Sequence, residues 1–465
     1  MPNALAYLAS YLIEKKHEVN VIDAFGEEPK KARLKDGFFF QGIEPREVYN
    51  LIDKDTELIC FYAGMIWNHE ANVELIRYLR KKFPKKKFVV LENVNQVTAY
   101  SLAKVKDVFF KLGIDYIFTG DLENSFDNFI NNKKKGVISK NDKSVNRNDE
   151  FIIDLDKLPM PAWDFFPIHN YWNLGYSHAP LSSKRYLSIL TSRGCPFNCN
   201  FCVCPDTSNN RWRFRSAKDV VDEIEYYHKK MGVKEFHFID LNPSVKKERM
   251  KQIADEINKR DLKIYWKLGQ GTKVETLNKE TIKAMAKSGC NYISFSPESG
   301  SKDVLKNMNK YFDHDYALEM LREMQKNKIT TQSCFILGYP GETKEDLKKT
   351  EEYIQKITKL GGDEVALFIM TPIPGSAVFS KYYKGYKRLD QLTFSPKWRK
   401  EYKELSRVRF RLYMKFFFWQ MIYHPGKFFG KGFSFITGRF KTKIEMTIFR
   451  TLKVYWYFIK TRLFG

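Results

Sequence analysis

The chain has 465 residues, and its 79 lysines and arginines exceed its 55 acidic residues, which gives a formal net charge of +24. At about 100–200 residues per domain this length predicts two to four domains, and 43% hydrophobic residues exclude a chain that is disordered throughout. The charge is uneven, because residues 381–465 hold 21 basic and 4 acidic residues. Most of the excess positive charge therefore lies in the last 85 residues, and a protein that is basic throughout is excluded.

The first 130 residues alternate helical and strand-like patterns. Leu5, Leu8 and Leu12 recur at helical spacing, and apolar runs predict strands over residues 17–23, 58–63, 88–91 and 116–119. This alternation predicts an α/β domain with a doubly wound parallel sheet of the Rossmann or flavodoxin-like type. Because such a domain normally begins with a strand, either its first strand is missing or the start site is misassigned.

Residues 131–180 are predicted to connect this domain to the next one. Their polar part, residues 131–150, is interpreted as a linker, whereas residues 154–167 are rich in prolines and aromatics and are expected to pack between domains. From residue 181 to residue 380 six strand patterns alternate with helical ones. This rhythm predicts a partial (β/α)6 barrel of the TIM type, with its active site at the carboxyl ends of the strands.

Three of the seven cysteines are spaced CxxxCxxC directly after the first of these six strands, at Cys195, Cys199 and Cys202. Thiolates are the usual ligands of iron–sulfur clusters, and three of them on a four-iron cluster leave one iron open to a chelating molecule. Cys204 leaves a four-thiolate zinc site or a closed cluster as the alternative. Because no secretory signal is visible, this clustering predicts metal binding rather than disulfides and a cytoplasmic location.

The loop SRGCPFNCNFC resembles the radical S-adenosylmethionine (radical SAM) superfamily, as do the segments ISFSPESGSKDVLKNMNK, FILGYPGET and TPIPGSAVF. The segments LAYLASYLIEKKHEVNVIDA, DYIFTGDLENSF and DKLPMPAWDFFP are similar to the front end of the subgroup that bears an N-terminal cobalamin-binding-type domain. The resemblance covers about residues 1–380.

The resemblance implies that Cys195, Cys199 and Cys202 ligate a 4Fe–4S cluster and that S-adenosylmethionine (SAM) chelates the open iron. It implies reduction of the cluster by a donor such as flavodoxin or ferredoxin. It also implies cleavage of SAM to a 5′-deoxyadenosyl radical that abstracts a hydrogen atom from a substrate. No catalytic acid–base pair is assigned.

The resemblance also implies roles for four residues around SAM. Phe201 is expected to flank the adenine, Glu298 to contact SAM at the barrel mouth, and Gly338 to shape the turn after the fifth strand. The alternative for Glu298 is a surface glutamate that opens a helix. Asp240 is expected to line the same mouth, although its DLNP context departs from the family pattern.

Cobalamin is the third cofactor that the subgroup implies, but the residues argue against it more than for it. The base-on signature DxHxxG is absent, and residues 92–96 read ENVNQ where relatives carry glycines that let the backbone approach the corrin. The front domain is therefore interpreted as degenerate.

Residues 381–465 combine their 21 basic residues with 24 aromatic ones, and helices are predicted over residues 401–420 and 443–464. A basic aromatic helix of this kind is typical of an anionic membrane surface, which is the favoured interpretation. The second interpretation is a helical cap on the barrel, and nucleic-acid binding is unlikely. No apolar run is long enough to predict a membrane-spanning helix.

Together these features predict a radical SAM enzyme that modifies a small or lipid-like substrate by methylation, cyclisation or oxidative rearrangement. It is expected in the cytoplasm, with the tail placing it at the inner face of the membrane. The alternative is a non-enzymatic, metal-stabilised binding protein that is anchored to a membrane through its basic tail.

Overall fold

The computed structural model describes residues 1–142, 151–382 and 385–464, and it confirms the predicted α/β class. The strands are β1 (Ala32–Lys35), β2 (Phe38–Gln41), β3 (Leu58–Ala63), β4 (Lys87–Glu92), β5 (Tyr116–Phe118), β6 (Val137–Ser139), β7 (Tyr186–Ile189), β8 (Ser192–Arg193), β9 (Arg213–Phe214), β10 (Glu235–Phe238), β11 (Tyr265–Thr272), β12 (Cys290–Glu298), β13 (Thr330–Leu337) and β14 (Glu364–Ile369). The helices are α1 (Asn3–Glu14), α2 (Ala24–Glu27), α3 (Pro45–Leu51), α4 (His69–Lys82), α5 (Lys106–Phe110), α6 (Leu122–Ile130), α7 (Ile168–Leu174), α8 (Cys204–Ser208), α9 (Ala217–Met231), α10 (Lys247–Lys259), α11 (Lys279–Lys287), α12 (Lys302–Asn307), α13 (His314–Lys326), α14 (Lys344–Lys359), α15 (Tyr402–Tyr423), α16 (Pro425–Thr437) and α17 (Lys443–Phe464).

The front part of the chain forms a four-stranded sheet in the order β3-β4-β5-β6. The first three strands are parallel, and β6 runs antiparallel to β5. Successive side chains of a strand point to opposite faces of its sheet. Accordingly, Val89 and Leu91 of β4 pack with α1 and α6, whereas Phe88 and Val90 pack with α4 on the other face. Helices therefore cover both faces of this sheet.

The predicted strand at residues 17–23 is wrong. These residues are irregular between α1 and α2, and the carboxylate of Asp23 accepts a hydrogen bond from Gly26 N at 2.9 Å at the start of α2. Val21 and Ile22 still pack, half-buried, against the two larger hydrophobic cores. The apolar pattern of residues 17–23 therefore reflects the partial burial of side chains and not hydrogen bonding in a sheet.

The predicted connecting segment carries more structure than a linker. Ile138 is buried in β6, so residues 137–139 extend the front sheet rather than leaving it. Residues 143–150 of the predicted linker lie outside the described residues. In the aromatic part of the segment, Trp163 and Phe166 are buried in a core shared with α1, where Ala162 N donates to Ala6 O at 2.9 Å. This part packs between the two sheets, as predicted.

The second large sheet contains the six strands predicted between residues 181 and 380. They lie in the chain order β7-β10-β11-β12-β13-β14 and are all parallel, so their carboxyl ends meet at one edge. Five intervening helices, α9, α10, α11, α13 and α14, bury their apolar sides against this sheet in the main core. The short strand β8 follows β7 at that carboxyl edge and leads directly into the cysteine loop.

The C-terminal tail is helical, as predicted, and part of it belongs to the main core. Leu412 and Phe416 of α15 are buried there, which agrees with the cap interpretation. The predicted helices correspond to α15 and α17, but α16 was not predicted, because a proline argues against a helix that runs through it. Pro425 is instead the first residue of α16, a position at which the missing N–H costs no hydrogen bond.

None of the helices in the described residues is both long enough and apolar enough to cross a bilayer.

Candidate active site

The three predicted ligand cysteines lie on one irregular loop that begins after β8, and this loop is fixed by its neighbours. Asn200 N donates to Met308 O at 2.9 Å, and Asn200 Nδ2 donates to Asn307 O at 3.0 Å. In return, Asn309 Nδ2 donates to Asn198 O at 2.7 Å. The cysteine loop is therefore tied to the segment that follows α12, near the carboxyl end of β12.

The thiols of this loop influence one another electrostatically. Burial raises the pKa of Cys195 to about 12 and that of Cys199 to about 11, with the neighbouring cysteines adding to the shift and Lys310 opposing it. The pKa of Cys202 is lowered, because it accepts hydrogen bonds from the thiol and from the backbone N–H of Cys204, the latter at 3.4 Å. A cluster that binds here must displace the thiol protons, so binding depends on pH.

Cys204 has a different role from the three loop cysteines. It is the first residue of α8 and is buried, and its pKa is raised, first by the hydrogen bond to Cys202 and then by burial. In the part of the chain that the structure describes, no three or more His, Cys, Asp or Glu side chains are grouped to hold a metal ion. The three loop thiols do not form such a group either, so this finding does not separate them from Cys204. The hydrogen bonds that Cys204 donates to Cys202 favour a role as donor to a ligand sulfur over a role as fourth ligand.

Glu298 ends β12 in a conformation that aims its side chain at the cysteine loop. Its φ is +64°, which is uncommon for a residue with a side chain, and the pairing of β12 with β13 shifts register between Phe295 and Glu298. Glu298 Oε1 lies 2.7 Å from Lys310 Nζ. That ammonium group also lies 5.9 Å from the ring centroid of Phe201. Glu298 is buried, so the alternative of a surface glutamate that opens a helix is wrong.

Two lysines at this site, with side chains only 14% (Lys273) and 10% (Lys310) exposed, were not predicted from the sequence. Burial would lower the pKa of Lys310, but Glu298 and Cys199 together raise it, so the side chain stays charged. Lys273 follows β11, and its Nζ lies 5.0 Å from the ring centroid of Phe197; burial lowers its pKa. Lys310 could have been identified as the last residue of the motif ISFSPESGSKDVLKNMNK, whereas Lys273 lies in no motif. Two lysines beside the thiols favour an anionic group in the ligand.

Gly338 lies at the carboxyl end of β13, where it joins the sheet to the tail. Its φ is +74°, and a Cβ atom at this position would come within 2.4 Å of Leu405 of α15. Its carbonyl oxygen accepts a hydrogen bond from Arg399 at 3.1 Å, and its N–H donates to Glu342 at 2.5 Å. Gly338 thus permits both the turn and the close approach of the tail.

Asp240 is buried beneath the cysteine loop. Its Oδ1 accepts hydrogen bonds from Thr191 Oγ1 at 3.0 Å and from Ser192 Oγ at 2.7 Å, and also from the backbone N–H of Ser192. Burial raises the pKa of Asp240. These contacts fix the connection between β7 and β8 that leads into the loop, which favours a positioning role over direct contact with a ligand.

Arg193, two residues before Cys195, ties the loop to the front sheet. Its guanidinium group forms two hydrogen bonds with Glu123, at 2.8 and 2.9 Å, and lies 3.2 Å from Asp121. Arg213 also pairs with Asp121, and all four side chains are buried. Burial would raise the pKa of Asp121, but the two arginines lower it. This network holds both parts of the chain around the cysteine loop.

Comparison with known proteins identifies the region that carries this site. The family model described as Radical SAM superfamily matches residues 189–354. An uncharacterized methyltransferase of Pyrococcus horikoshii is 26% identical over 410 residues, which are 86% of this chain and 81% of that protein. The cytidylyl-2-hydroxyethylphosphonate methyltransferase of Streptomyces wedmorensis is 23% identical, over 81% of this chain and 76% of its own length.

Solved structures share the fold over most of the chain. The radical SAM methyltransferase TsrM from Kitasatospora setae, with tryptophan and a SAM analog bound, aligns with a TM-score of 0.61 at 15% identity, covering 83% of this chain and 74% of TsrM. The cobalamin-dependent SAM radical enzyme OxsB aligns with a TM-score of 0.58 at 17% identity, covering 89% of this chain and 54% of OxsB. The shared fold therefore includes the front sheet as well as the six-stranded one.

The cobalamin dependence of OxsB makes the crevice at the carboxyl edge of the front sheet a place to test for a corrin site. Here the loops after β3 and β4 are closed on each other, because Ile66 N donates to Thr98 O at 3.1 Å and Asn93 Nδ2 donates to Gly64 O at 2.8 Å. Ser101 N closes the second loop onto the six-stranded unit, by donating to Pro374 O at 2.9 Å.

Side chains fill the space between these closed loops. Tyr100 and Leu102 are fully buried in a core that also contains Ile373 and Leu392 from beyond the six-stranded sheet. The cavity beside Glu92 measures about 10 Å³, which is room for a single water molecule. The residues present therefore do not fit a corrin in this arrangement, and no step below uses cobalamin.

Proposed function

The chain belongs to the radical SAM superfamily, and from this premise we propose that it binds a 4Fe–4S cluster through Cys195, Cys199 and Cys202 and cleaves SAM reductively. The radical so formed modifies a small or lipid-like substrate by hydrogen abstraction, which leads to cyclisation or oxidative rearrangement. The observation that carries this proposal is the position of the buried Lys310–Glu298 pair beside the cysteine loop.

A 4Fe–4S cluster held by Cys195, Cys199 and Cys202 would supply the one electron, drawn from a donor such as flavodoxin or ferredoxin, that reductive cleavage of SAM to methionine and the 5′-deoxyadenosyl radical requires. The protein supplies charge and orientation for this reaction. Lys310 and Lys273 hold positive charge for the methionine carboxylate, Glu298 accepts hydrogen bonds from amino or hydroxyl groups, and Phe201 offers its ring to the adenine. The low exposure of the Lys310 and Glu298 side chains, 10% and 8%, would limit the access of water to a bound cluster.

We further propose that residues 181–380 form a partial (β/α)6 barrel as the catalytic unit, and residues 1–130 a Rossmann-like unit connected to it through residues 131–180. Residues 381–465 form the tail. The chain order of the six parallel strands supports the barrel, whose active site would lie at their carboxyl ends.

Anaerobic reconstitution tests the proposed cleavage. The full-length protein, loaded with iron and sulfide and reduced with dithionite, is expected to convert SAM to 5′-deoxyadenosine, measured by liquid chromatography. Cys199→Ala should form no product. Cys290→Ala is the matched control, because Cys290 is buried in β12 away from the loop and its loss should leave the activity in place. Absence of product from the wild-type protein would contradict the proposal.

Methyl transfer is a second candidate reaction, because both relatives that cover most of the chain are named methyltransferases. A methyl transfer leaves S-adenosylhomocysteine, whereas hydrogen abstraction leaves 5′-deoxyadenosine. Quantifying both products from the reconstituted protein, in the presence of a small-molecule extract, distinguishes the two reactions. The non-enzymatic, membrane-anchored alternative gains no support from these relatives, which are named as enzymes.

A further inference from the structure

Helix α15 is apolar on two opposite faces. Leu412 and Phe416 are buried in the main core, whereas Phe410, Met414 and Phe418 are 67%, 52% and 55% exposed. Residues four apart lie above one another on the same side of a helix. The exposed three therefore form a continuous apolar stripe that the fold leaves uncovered.

Helix α17 repeats this arrangement. Its Met446 and Tyr457 are buried, but Ile448, Leu452 and Ile459 are each about half exposed or more. These three residues are spaced four and seven apart, so they form an apolar stripe along one side of the helix. Because α17 docks through its other side, the stripe faces solvent and does not cover the sheet.

The charges around both stripes have one sign. Between residues 405 and 464 Glu445 is the only acidic residue, and it is buried, with its carboxylate accepting a hydrogen bond from Thr442 N at 2.8 Å. The exposed basic side chains in this region include Arg407, Arg411, Arg439, Lys441, Lys460 and Arg462. From residue 405 to residue 463, the described solvent-facing surface of these helices is thus apolar and cationic without an exposed carboxylate, whereas Glu404, in the first turn of α15, is exposed.

We propose that the exposed stripes of α15 and α17 dock on the surface of an anionic lipid bilayer. Apolar side chains enter the boundary between headgroups and acyl chains, while flanking lysines and arginines pair with anionic headgroups. A second copy of this surface is the poorer partner, because it would bring like charges together. In this proposal α15 and α17 lie along the membrane surface. This docking is independent of the chemistry proposed above.

Vesicle co-sedimentation of the full-length protein tests the docking. We expect it to pellet with vesicles of phosphatidylcholine mixed with phosphatidylglycerol, to be released by salt, and to remain in solution with phosphatidylcholine alone. The triple variant Phe410→Ser, Phe418→Ser, Leu452→Ser should bind the mixed vesicles at least about tenfold more weakly. Ile153→Ser is the matched control, because Ile153 is 72% exposed and lies outside the tail.

Circular dichroism and SAM cleavage by the triple variant verify that its fold and active site are intact, so loss of docking is separable from loss of activity. Equal binding of the wild-type protein and the triple variant would overturn the proposal. Binding to neutral vesicles as strong as to mixed ones would overturn it as well. A dimer of the wild-type protein, detected by sedimentation equilibrium and lost in the triple variant, would also overturn the proposal, because the stripes would then cover each other.

Discussion

Lys310 Nζ lies 2.7 Å from Glu298 Oε1, and the two side chains are only 10% and 8% exposed. Burying two charges is costly even when they are paired, so such a pair is weak evidence of a stabilising role. Both residues face the cysteine loop, where Lys310 lowers and Glu298 raises the pKa of Cys199. Because two charged groups lie beside three thiols in spite of this cost, we infer that the pair binds an amino acid-like ligand such as SAM.

Lys310→Met is expected to destabilise the protein and to weaken SAM binding. The substitution leaves Glu298 buried without its partner, which costs about 3–5 kcal/mol of unfolding free energy. Urea denaturation and calorimetric titration of the reconstituted protein with SAM measure the two effects. Lys218→Met is the control, because the Lys218–Asp222 pair is exposed and screened by solvent, so its loss should change stability little. If the Lys310→Met variant binds SAM as tightly as the wild type, Lys310 does not contribute to SAM binding.

Cys199→Ala should lose the cluster, whereas Cys204→Ala should keep it. Cys199 is one of three thiols that the loop presents, while Cys204 donates hydrogen bonds to Cys202 from the first turn of α8. Iron and sulfide content after anaerobic reconstitution, with the visible absorption of the cluster, measures the difference. Equal losses in the two variants would make Cys204 a fourth ligand and would leave no open iron.

Arg193→Met is expected to loosen the contact between the front sheet and the cysteine loop. Two buried carboxylates, Glu123 and Asp121, lose a partner, so we expect a loss of about 3–5 kcal/mol in unfolding free energy. Limited proteolysis should also cut the variant faster than the wild type. Arg33→Met, at a half-exposed pair with Glu74, is the comparison and should cost much less. A similar loss of unfolding free energy in the two variants would contradict the role of Arg193 as the buried link between the front sheet and the cysteine loop.

Glu342 is expected to make stability fall as the pH rises. Burial raises its pKa from the ordinary value of 4.5 to about 7, with Asp346 adding to the shift and the N–H of Gly338 opposing it. A raised folded-state pKa contributes stability that is complete below pH 4.5 and is lost as the pH rises through 7. Glu342→Gln should therefore be more stable than the wild type at pH 8, by about 1–3 kcal/mol, and should show no such gain at pH 4.5. Thermal unfolding across this range measures the difference; parallel curves for the two proteins would contradict the assignment.

The protein is expected not to retain cobalamin. Tyr100 and Leu102 fill the crevice, and the loops around it are hydrogen-bonded to each other and to Pro374. After incubation with hydroxocobalamin and gel filtration, the protein fraction should show no corrin absorption. A stoichiometric corrin band would mean that these loops open, and it would favour methyl transfer as the reaction.

The six parallel strands could be predicted from the sequence, because strands buried on both faces are continuous apolar runs between turns. The ligand cysteines could be predicted for a similar reason, since their spacing is local. The Lys310–Glu298 pair could not, because it depends on a positive φ and a register shift at the end of β12. The exposure of the apolar stripe on α17 could not be predicted either, because helical periodicity indicates that a face is apolar but not what covers it.

Electron paramagnetic resonance of the reduced, reconstituted protein, recorded with and without SAM, tests the central claim most directly. A cluster held by Cys195, Cys199 and Cys202 has one open iron, so SAM should change the g-values of the reduced cluster in the wild type and in Cys204→Ala. A reduced cluster whose spectrum is the same with and without SAM would contradict the account, because no iron would be open to the ligand.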